Sequence, residues 1–261
     1  SPLVQYISWF RAVLRGDLGR SITFSRGYPV GKLVADALPV TIPLAFAAVM
    51  LTLAISLPLG IAAARRRGGL LDSAVLFLSQ AGLAIPAFWL GILAIQYFSV
   101  RLGWFPPGDM PHWQSNPVGA AFSLILPATV LALPRSAILT RIVRAAMLDT
   151  LDEDYIRTAR GKGVSEQVVL GKHALRNALV SISTVAGIQL VQLLAGTIVV
   201  EQVFSLPGLG RLTLSAVLLR DLPLVQGAVF AGAALILAVN FCLDSLYPAI
   251  DPRIKEASAY G

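Results

Sequence analysis

Apolar runs long enough to cross a lipid bilayer constrain this chain more than any other feature. A helix advances about 1.5 Å per residue, so about 20 consecutive apolar residues cover a hydrocarbon core about 30 Å thick. Five segments reach that length: Thr41 to Ala64, Ala74 to Val100, a third from near Val118 whose helical pattern continues to about Met147, Ala178 to Val203, and Leu224 to Tyr247. The runs are continuous and lack the alternation of barrel strands, so helices are expected. Pro86 breaks the second mildly, and Pro127 and Pro134 lie within the third. With 56% hydrophobic and 13% charged residues, the chain reads as all-α, a polytopic membrane helical bundle with five transmembrane helices. The single cysteine, Cys242, excludes an internal disulfide framework and a Cys-based zinc site.

The net charge of +7 would suit a nucleic acid, but the 21 Lys and Arg lie between the spans, where they orient the bundle instead. Arg65, Arg66 and Arg67 follow the first span. Arg141, Arg144, Arg157, Arg160, Lys162, Lys172 and Arg176 lie between the third and fourth. Both loops are therefore placed in the cytoplasm. The opposite loops hold Arg101 in one case and Arg211 with Arg220 in the other, and the first carries Trp104, Pro106, Pro107 and Trp113, as expected at an outer interface. The tail 248–261, with Arg253 and Lys255, is then cytoplasmic. Residues 1–40 fall on the periplasmic side, although they carry Arg11, Arg15, Arg20, Arg26 and Lys32, because the two strongest basic loops fix the count. Leu3, Ile7, Phe10 and Leu14 recur there at helical spacing and Gly16-Asp17 supplies a stop, which gives an amphipathic helix lying on the membrane or on the protein's own outer face.

Between these residues and Leu224, the transmembrane region 41–247 holds two segments with further chemistry. In the long basic loop 149–177, Asp152, Glu153 and Asp154 favour a helix start near Tyr155, and Gly161 with Gly163 ends it. Ser165 and Glu166 start a second short helix with Val168, Val169, Ala174 and Leu175 on its apolar face. The segment 204–222, with Pro207-Gly208-Leu209-Gly210, reads as a turn and short helix on the outer side. Polar residues inside spans are costly and tend to face an aqueous cavity or one another. Gln80, Gln96, Arg135, Gln189, Gln192, Glu201, Asn240 and Asp244 are of this kind. Gln189, Gln192 and Gly196 share a helical face, so Gln189, Gln192, Glu201 and Arg135 are candidates to line a translocation path. The amides serve equally well as hydrogen bonds between helices, and Glu201 and Asp244 can also reach headgroups or water.

The loop resembles the Glu-Ala-Ala signature of inner-membrane permease subunits of binding-protein-dependent ATP-binding-cassette (ABC) importers. Arg157, Thr158 and Ala159 fall on Glu-Ala-Ala, Gly163 on the Gly that follows, and His173, Leu175 and Arg176 on the Ile, Leu and Pro further on. Arg157, His173 and Arg176 depart from the general pattern, but DYIRTAR, KG and HALRNAL have the form found in the dipeptide, oligopeptide and nickel branch. GDLG at Gly16 to Gly19 with Ser21, EQVFSLPGLGRL from Glu201, RDLPLVQG from Arg220 and DPRIK from Asp251 resemble the same branch. The resemblance covers essentially the whole chain. It implies a type I importer permease fold of six spans, with the sixth upstream of Ser1, where the chain begins without an initiator Met. It also implies a bacterial inner-membrane location and an ATPase-coupling role for Asp154, Tyr155, Ile156, Arg157, Thr158, Ala159, Arg160, Lys162, Gly163, His173, Leu175 and Arg176. The implied partners are a second homologous permease, two ATP-binding-cassette ATPases that hold ATP and Mg, a periplasmic solute-binding protein facing 204–222, and membrane lipid. No cofactor is expected on this chain, nor any nucleic acid.

The remaining motifs fit that reading. GKG, GKH and GKL occur, but none is the Gly-Lys-Ser/Thr of a phosphate-binding loop with its earlier Gly. There are only two His, His112 and His173, and no nucleophile, base and orienter set is recognisable. The subunit is therefore read as a non-enzyme that moves short peptides on energy supplied by its partners. Nickel or another small solute is the alternative within the class. An ion-coupled secondary transporter is the alternative outside it, and would call for central intramembrane acids and repeated halves, neither of which the sequence offers.

Overall fold

The computed structural model describes residues 2–108 and 110–250. In chain order the helices are α1 (Pro2–Leu14), α2 (Val30–Arg65), α3 (Leu70–Ala84), α4 (Ala87–Ala94) continued by a π-wound turn (Ile95–Arg101), α5 (Pro117–Leu151), α6 (Asp154–Gly161), α7 (Glu166–Val168) with a second π-wound turn (Val169–Ala174), α8 (Leu175–Val203), α9 (Leu209–Leu218) and α10 (Leu222–Ile250). Among the described residues the extended pairing is a single antiparallel bridge between Arg20 and Pro29. Four helices, Val30–Arg65, Pro117–Leu151, Ser181–Val203 and Leu222–Cys242, are each long and apolar enough to span a membrane, and the broken pair Leu70–Ala84 and Ala87–Arg101 makes a fifth span if counted as one. These are the five segments expected. The 248–261 tail, with Arg253, Lys255 and the DPRIK motif, lies outside the described residues beyond Ile250, as does the side chain of Asp244.

Three boundaries differ from expectation, each for a local reason. α2 begins at Val30, eleven residues before the apolar run, so residue 40 is no boundary. Val30, Val34, Ala37, Thr41 and Leu44 form a buried stripe at helical spacing, and packing of one face extends the helix where overall hydropathy is low. The break at Pro86 is complete. Ile85 is extended, with φ −91° and ψ 119°, because the residue before a proline is driven out of helical conformation. The expected second loop helix does not stop before the fourth span. Val168, Val169 and Leu175 all keep helical angles, and Val169, Leu170, Ala174, Ala178 and Ile182 form one buried stripe that runs from α7 into α8.

The described residues divide into two compact units, one within 2–47, 91–127 and 194–238 and the other within 48–90, 128–193 and 239–250. The first packs around Val30, Val34, Ala37, Leu209, Leu212, Ala216, Leu224 and Ala228. The second packs around Ala64, Leu139, Val143, Met147, Leu151, Ile156 and the α7–α8 stripe.

Within the second unit α2 meets α5 at Gly60. A Cβ there would lie 2.6 Å from Val143 Cβ and 2.9 Å from the Thr140 carbonyl oxygen. Helices in lipid associate through this kind of close backbone approach. Gly60→Ala is expected to cost about 1–3 kcal/mol through overpacking and to lower the unfolding temperature in mild detergent. Gly232→Ala, with nothing within 4 Å of the new methyl, should leave it unchanged. Equal melting of the two variants would refute the packing account.

Candidate functional site

The loop between α5 and α8 folds as a compact knob rooted in the second unit. Glu153 is extended at the helix entry, and α6 then presents Asp154, Tyr155, Arg157, Thr158, Arg160 and Lys162 to the outside. Ile156 points the other way and is 0% exposed, packed with Met147, Leu151 and Val169 in the core, and Ala159 rests against the same cluster. Ile156 and Ala159 therefore anchor the helix to its own protein, whereas Tyr155 and Val168 are exposed. Helix α6 ends because Gly163 adopts φ +78°, a left-handed conformation that side chains resist. Across this turn Arg160 forms a forked pair with Glu166, at 3.2 Å from Nε and 2.8 Å from Nη2, so Arg160 braces the knob. That guanidinium holds the Glu166 carboxyl below the usual range.

The other residues of the set hold the second side of the knob. Asn177 Nδ2 donates to Tyr155 Oη at 2.6 Å and to the His173 carbonyl at 3.2 Å. Leu175 packs on the core, while Arg176 and Lys162 are exposed. Two ion pairs tie this region to neighbouring helices, and sequence reasoning missed both. Arg67 reaches Asp152 at 3.2 Å on the surface. Arg144 clasps the buried Asp72 through Nε at 2.5 Å and Nη2 at 2.7 Å, and Asp72 also accepts the Gly68 N–H at 2.9 Å. The available signal was an Asp in the first turn of an apolar run, next to a helix that carries Arg beyond the membrane.

In the first unit, motifs far apart in sequence prove to be single structures. The Asp221 carboxylate of RDLPLVQG is fully buried beneath the loop that follows GDLG. Its Oδ2 accepts Ser21 Oγ at 2.6 Å and the N–H groups of Ile22, Thr23 and Phe24 at 3.0, 2.9 and 3.0 Å, while Oδ1 accepts the Leu224 N–H at 3.3 Å. Glu201 opens EQVFSLPGLGRL and is also 0% exposed. It accepts Thr41 Oγ1 at 2.7 Å and the Arg211 N–H at 3.0 Å, and Thr41 in turn accepts the Leu209 N–H at 2.8 Å. A Cβ on Gly208 would lie 2.3 Å from the Glu201 carboxyl carbon, which explains the glycine. Glu201 is thus the tie that folds 204–210 back onto α8, with its carboxylate enclosed. Gln189, Gln192 and Arg135, the other path candidates, come together in the second unit. Arg135 Nη1 donates to Gln192 Oε1 at 2.7 Å and to Gln189 Oε1 at 3.4 Å, and Nη2 to the Gln192 carbonyl at 3.2 Å.

A buried basic-loop anchor, an exposed charged knob and five apolar spans are features a membrane transport subunit needs, and residues 56–256 match the family model described as binding-protein-dependent transport system inner membrane component. The chain belongs to that family. It is accordingly the permease component of an ABC transporter, located in the inner membrane. The permease is similar to a Brucella abortus protein named as a peptide transport system permease, at 46% identity over 97% of this chain and 80% of the relative. It is similar also to the oligopeptide transport system permease protein AppB of Bacillus subtilis, at 42% identity over the same shares. A solved structure of the MetNI methionine ABC transporter in an inward-facing conformation shares its fold, with a TM-score of 0.67, 18% identity, and cover of 84% of this chain and 97% of that one.

The Asp221 cradle makes the permease's stability depend on pH. Burial pushes the carboxyl up, but hydrogen bonds from Ser21, Thr23, Phe24 and Leu224 overcome it and hold Asp221 at about 2. A folded value below the ordinary one stabilises the fold above about pH 4, and the contribution, about 2 kcal/mol, is lost as pH falls from about 4 to 2. Asp221→Asn should therefore melt lower than the parent at pH 7 in detergent, and the gap should close toward pH 2. A gap independent of pH would sink this assignment.

Proposed function

We propose that this permease forms, with a second homologous permease, the translocation path of an ATP-driven importer of short peptides. Two ATP-binding-cassette ATPases hold ATP and Mg and carry out the hydrolysis, and a periplasmic binding protein delivers the peptide to the face that includes 204–222. The peptide substrate is supported by the relatives named for peptide and oligopeptide transport. The coupling role is supported above all by the geometry of α6, which presents Tyr155, Arg157 and Lys162 outward while Ile156 on its opposite face is buried in the core.

Such a knob suits a lever. An ATPase groove that grips Tyr155, Val168 and the basic side chains moves α6 when two ATPases close on ATP. Ile156 and Ala159 then pass the displacement to Met147 on α5 and to Val169 and Ala174 at the base of α8, since a packed interior shifts as a body. Alternation between inward-facing and outward-facing states follows if the ATPase dimer binds one state more tightly than the other. Gln189, Gln192 and Arg135 line the path in this reading.

Gly163 tests the lever without touching the contact surface. Gly163→Val strains the left-handed turn and loosens the hold between α6 and α7. In vesicles containing both permeases and the ATPases, peptide uptake should fall about tenfold or more, while the complex still copurifies and still hydrolyses ATP. Full uptake with a correctly inserted variant would contradict the coupling role.

A further inference from the structure

We propose that Arg135, held by Gln189 and Gln192, is a carboxylate-recognition point that takes the C-terminal carboxylate of the peptide during its passage. The inference rests on the peptide-import reading above and adds to it a site and the chemical group recognised there.

The first ground is position. Gln192 stands midway along the span Ser181–Val203, roughly 16 Å from either end at about 1.5 Å per residue. The guanidinium bonded to it therefore lies near the middle of the span. A charge inside a membrane span is costly unless it is paired or reaches water. Among the described residues no carboxylate pairs with Arg135, although Arg67, Arg144, Arg157 and Arg160 all have one. The two glutamines accept hydrogen bonds but carry no charge, so they orient the cation without neutralising it. Arg135 is half-buried and Gln192 is exposed on the surface of this chain, so an anion can approach.

The second ground is the geometry of the donors that remain. A guanidinium has five N–H groups. Both on Nη1 and one on Nη2 are used by Gln192 Oε1, Gln189 Oε1 and the Gln192 carbonyl. The Nε–H and the second Nη2–H are left. In any guanidinium the Nε–H and the adjacent Nη2–H form one edge of the plane, the arrangement that receives both oxygens of a carboxylate. The same chain uses that edge where it does bind a carboxylate: Arg144 meets Asp72 through Nε and Nη2. At Arg135 the Nε–H makes no hydrogen bond among the described residues, while Nη1 is fastened by both glutamines. The anion common to short peptides of any length or sequence is the C-terminal carboxylate, so a single fork at mid-span can serve many peptides while ignoring their side chains.

The experiment uses the complete complex of both permeases and ATPases in vesicles, with the binding protein saturated in turn by trialanine and by trialanine amide. The parent should take up trialanine about tenfold faster than the amide. Arg135→Gln should bring trialanine down to the rate of the amide and leave the amide unchanged, and Arg135→Lys, which keeps the charge but loses the fork, should restore only part of the difference. Equal loss for both peptides, or no loss for either, overturns the assignment while leaving peptide import intact. Dissociation of the second permease from the Arg135→Gln complex on size exclusion also overturns it, since the cation would then be answering an acid on that subunit. A parent complex that hydrolyses ATP in response to the binding protein but moves neither peptide removes the peptide-import reading, and this assignment with it.

Discussion

Hydrocarbon offers no hydrogen-bond partner to a peptide group, and each unpaired N–H or C=O there costs several kcal/mol. The long helices α2, α5, α8 and α10 are the direct response, because a helix satisfies its backbone within one segment. Outside the spans, buried backbone groups need partners too where the chain leaves helical geometry. At 22–24 the N–H groups converge on Asp221, at 209–211 two of them are taken by Thr41 and Glu201, and at Gly68 one is taken by Asp72. Three buried carboxylates thus close three turns. Each is a polar side chain supplied where backbone pairing ends, which is why acids so rare in this chain are found in its interior.

These carboxylates are stabilised in different ways, and the differences bear on function. Asp221 is surrounded by N–H donors and a hydroxyl, so its charge is spread over many dipoles and the loop 21–25 is locked to the start of α10. Asp72 is answered by a full opposite charge in a two-pronged pair with Arg144, which fixes α3 against α5. Removing one partner from such a buried pair strands the other and costs far more than the pair is worth as a whole. Arg135 has only neutral acceptors. A structure that pairs its other buried charges with such care leaves this one half-answered, and the contrast within one chain carries more weight than the presence of an arginine in a span.

The spans were legible from apolar run length alone, because thickness of the bilayer sets a minimum that five segments meet. Their ends were not, since packing of one face decides them. Val30 to Ala37 reads as a mixed segment with Lys32 and Asp36 in it, yet one side of it is buried and the helix includes it. The break at Pro86 was visible but underestimated, because sequence shows the proline and not the freedom of Ile85 to become extended. The coupling loop was legible as a pattern of charges, glycines and helix starts. What that pattern hid is which side of α6 faces in. Ile156 and Tyr155 are neighbours with similar apolar character, and only the surrounding core separates an anchor from a contact residue. The enclosure of Glu201 was hidden for a related reason: an acid in a span suggests a wet surface, and the Thr41 hydroxyl and Arg211 N–H that surround it come from other parts of the sequence.

The proposed coupling role makes two different demands on the knob. A lever must be stiff where it joins the body and chemically open where it is pushed. Stiffness comes from Ile156, Val169, Leu170 and Ala174, which share one core with Met147 and Leu151, and from the Arg160–Glu166 fork that bridges the turn. The turn itself needs a left-handed residue, because α6 must end and α7 begin within a few residues for that fork to close, and Gly163 supplies it. Outside those positions Arg157, Lys162 and Arg176 are exposed, and in the proposed role they meet the ATPase surface rather than hold the knob together. Departure from a Glu-Ala-Ala pattern at Arg157 is therefore compatible with an intact lever, since that position lies on the open face and the mechanical requirement falls on the buried one.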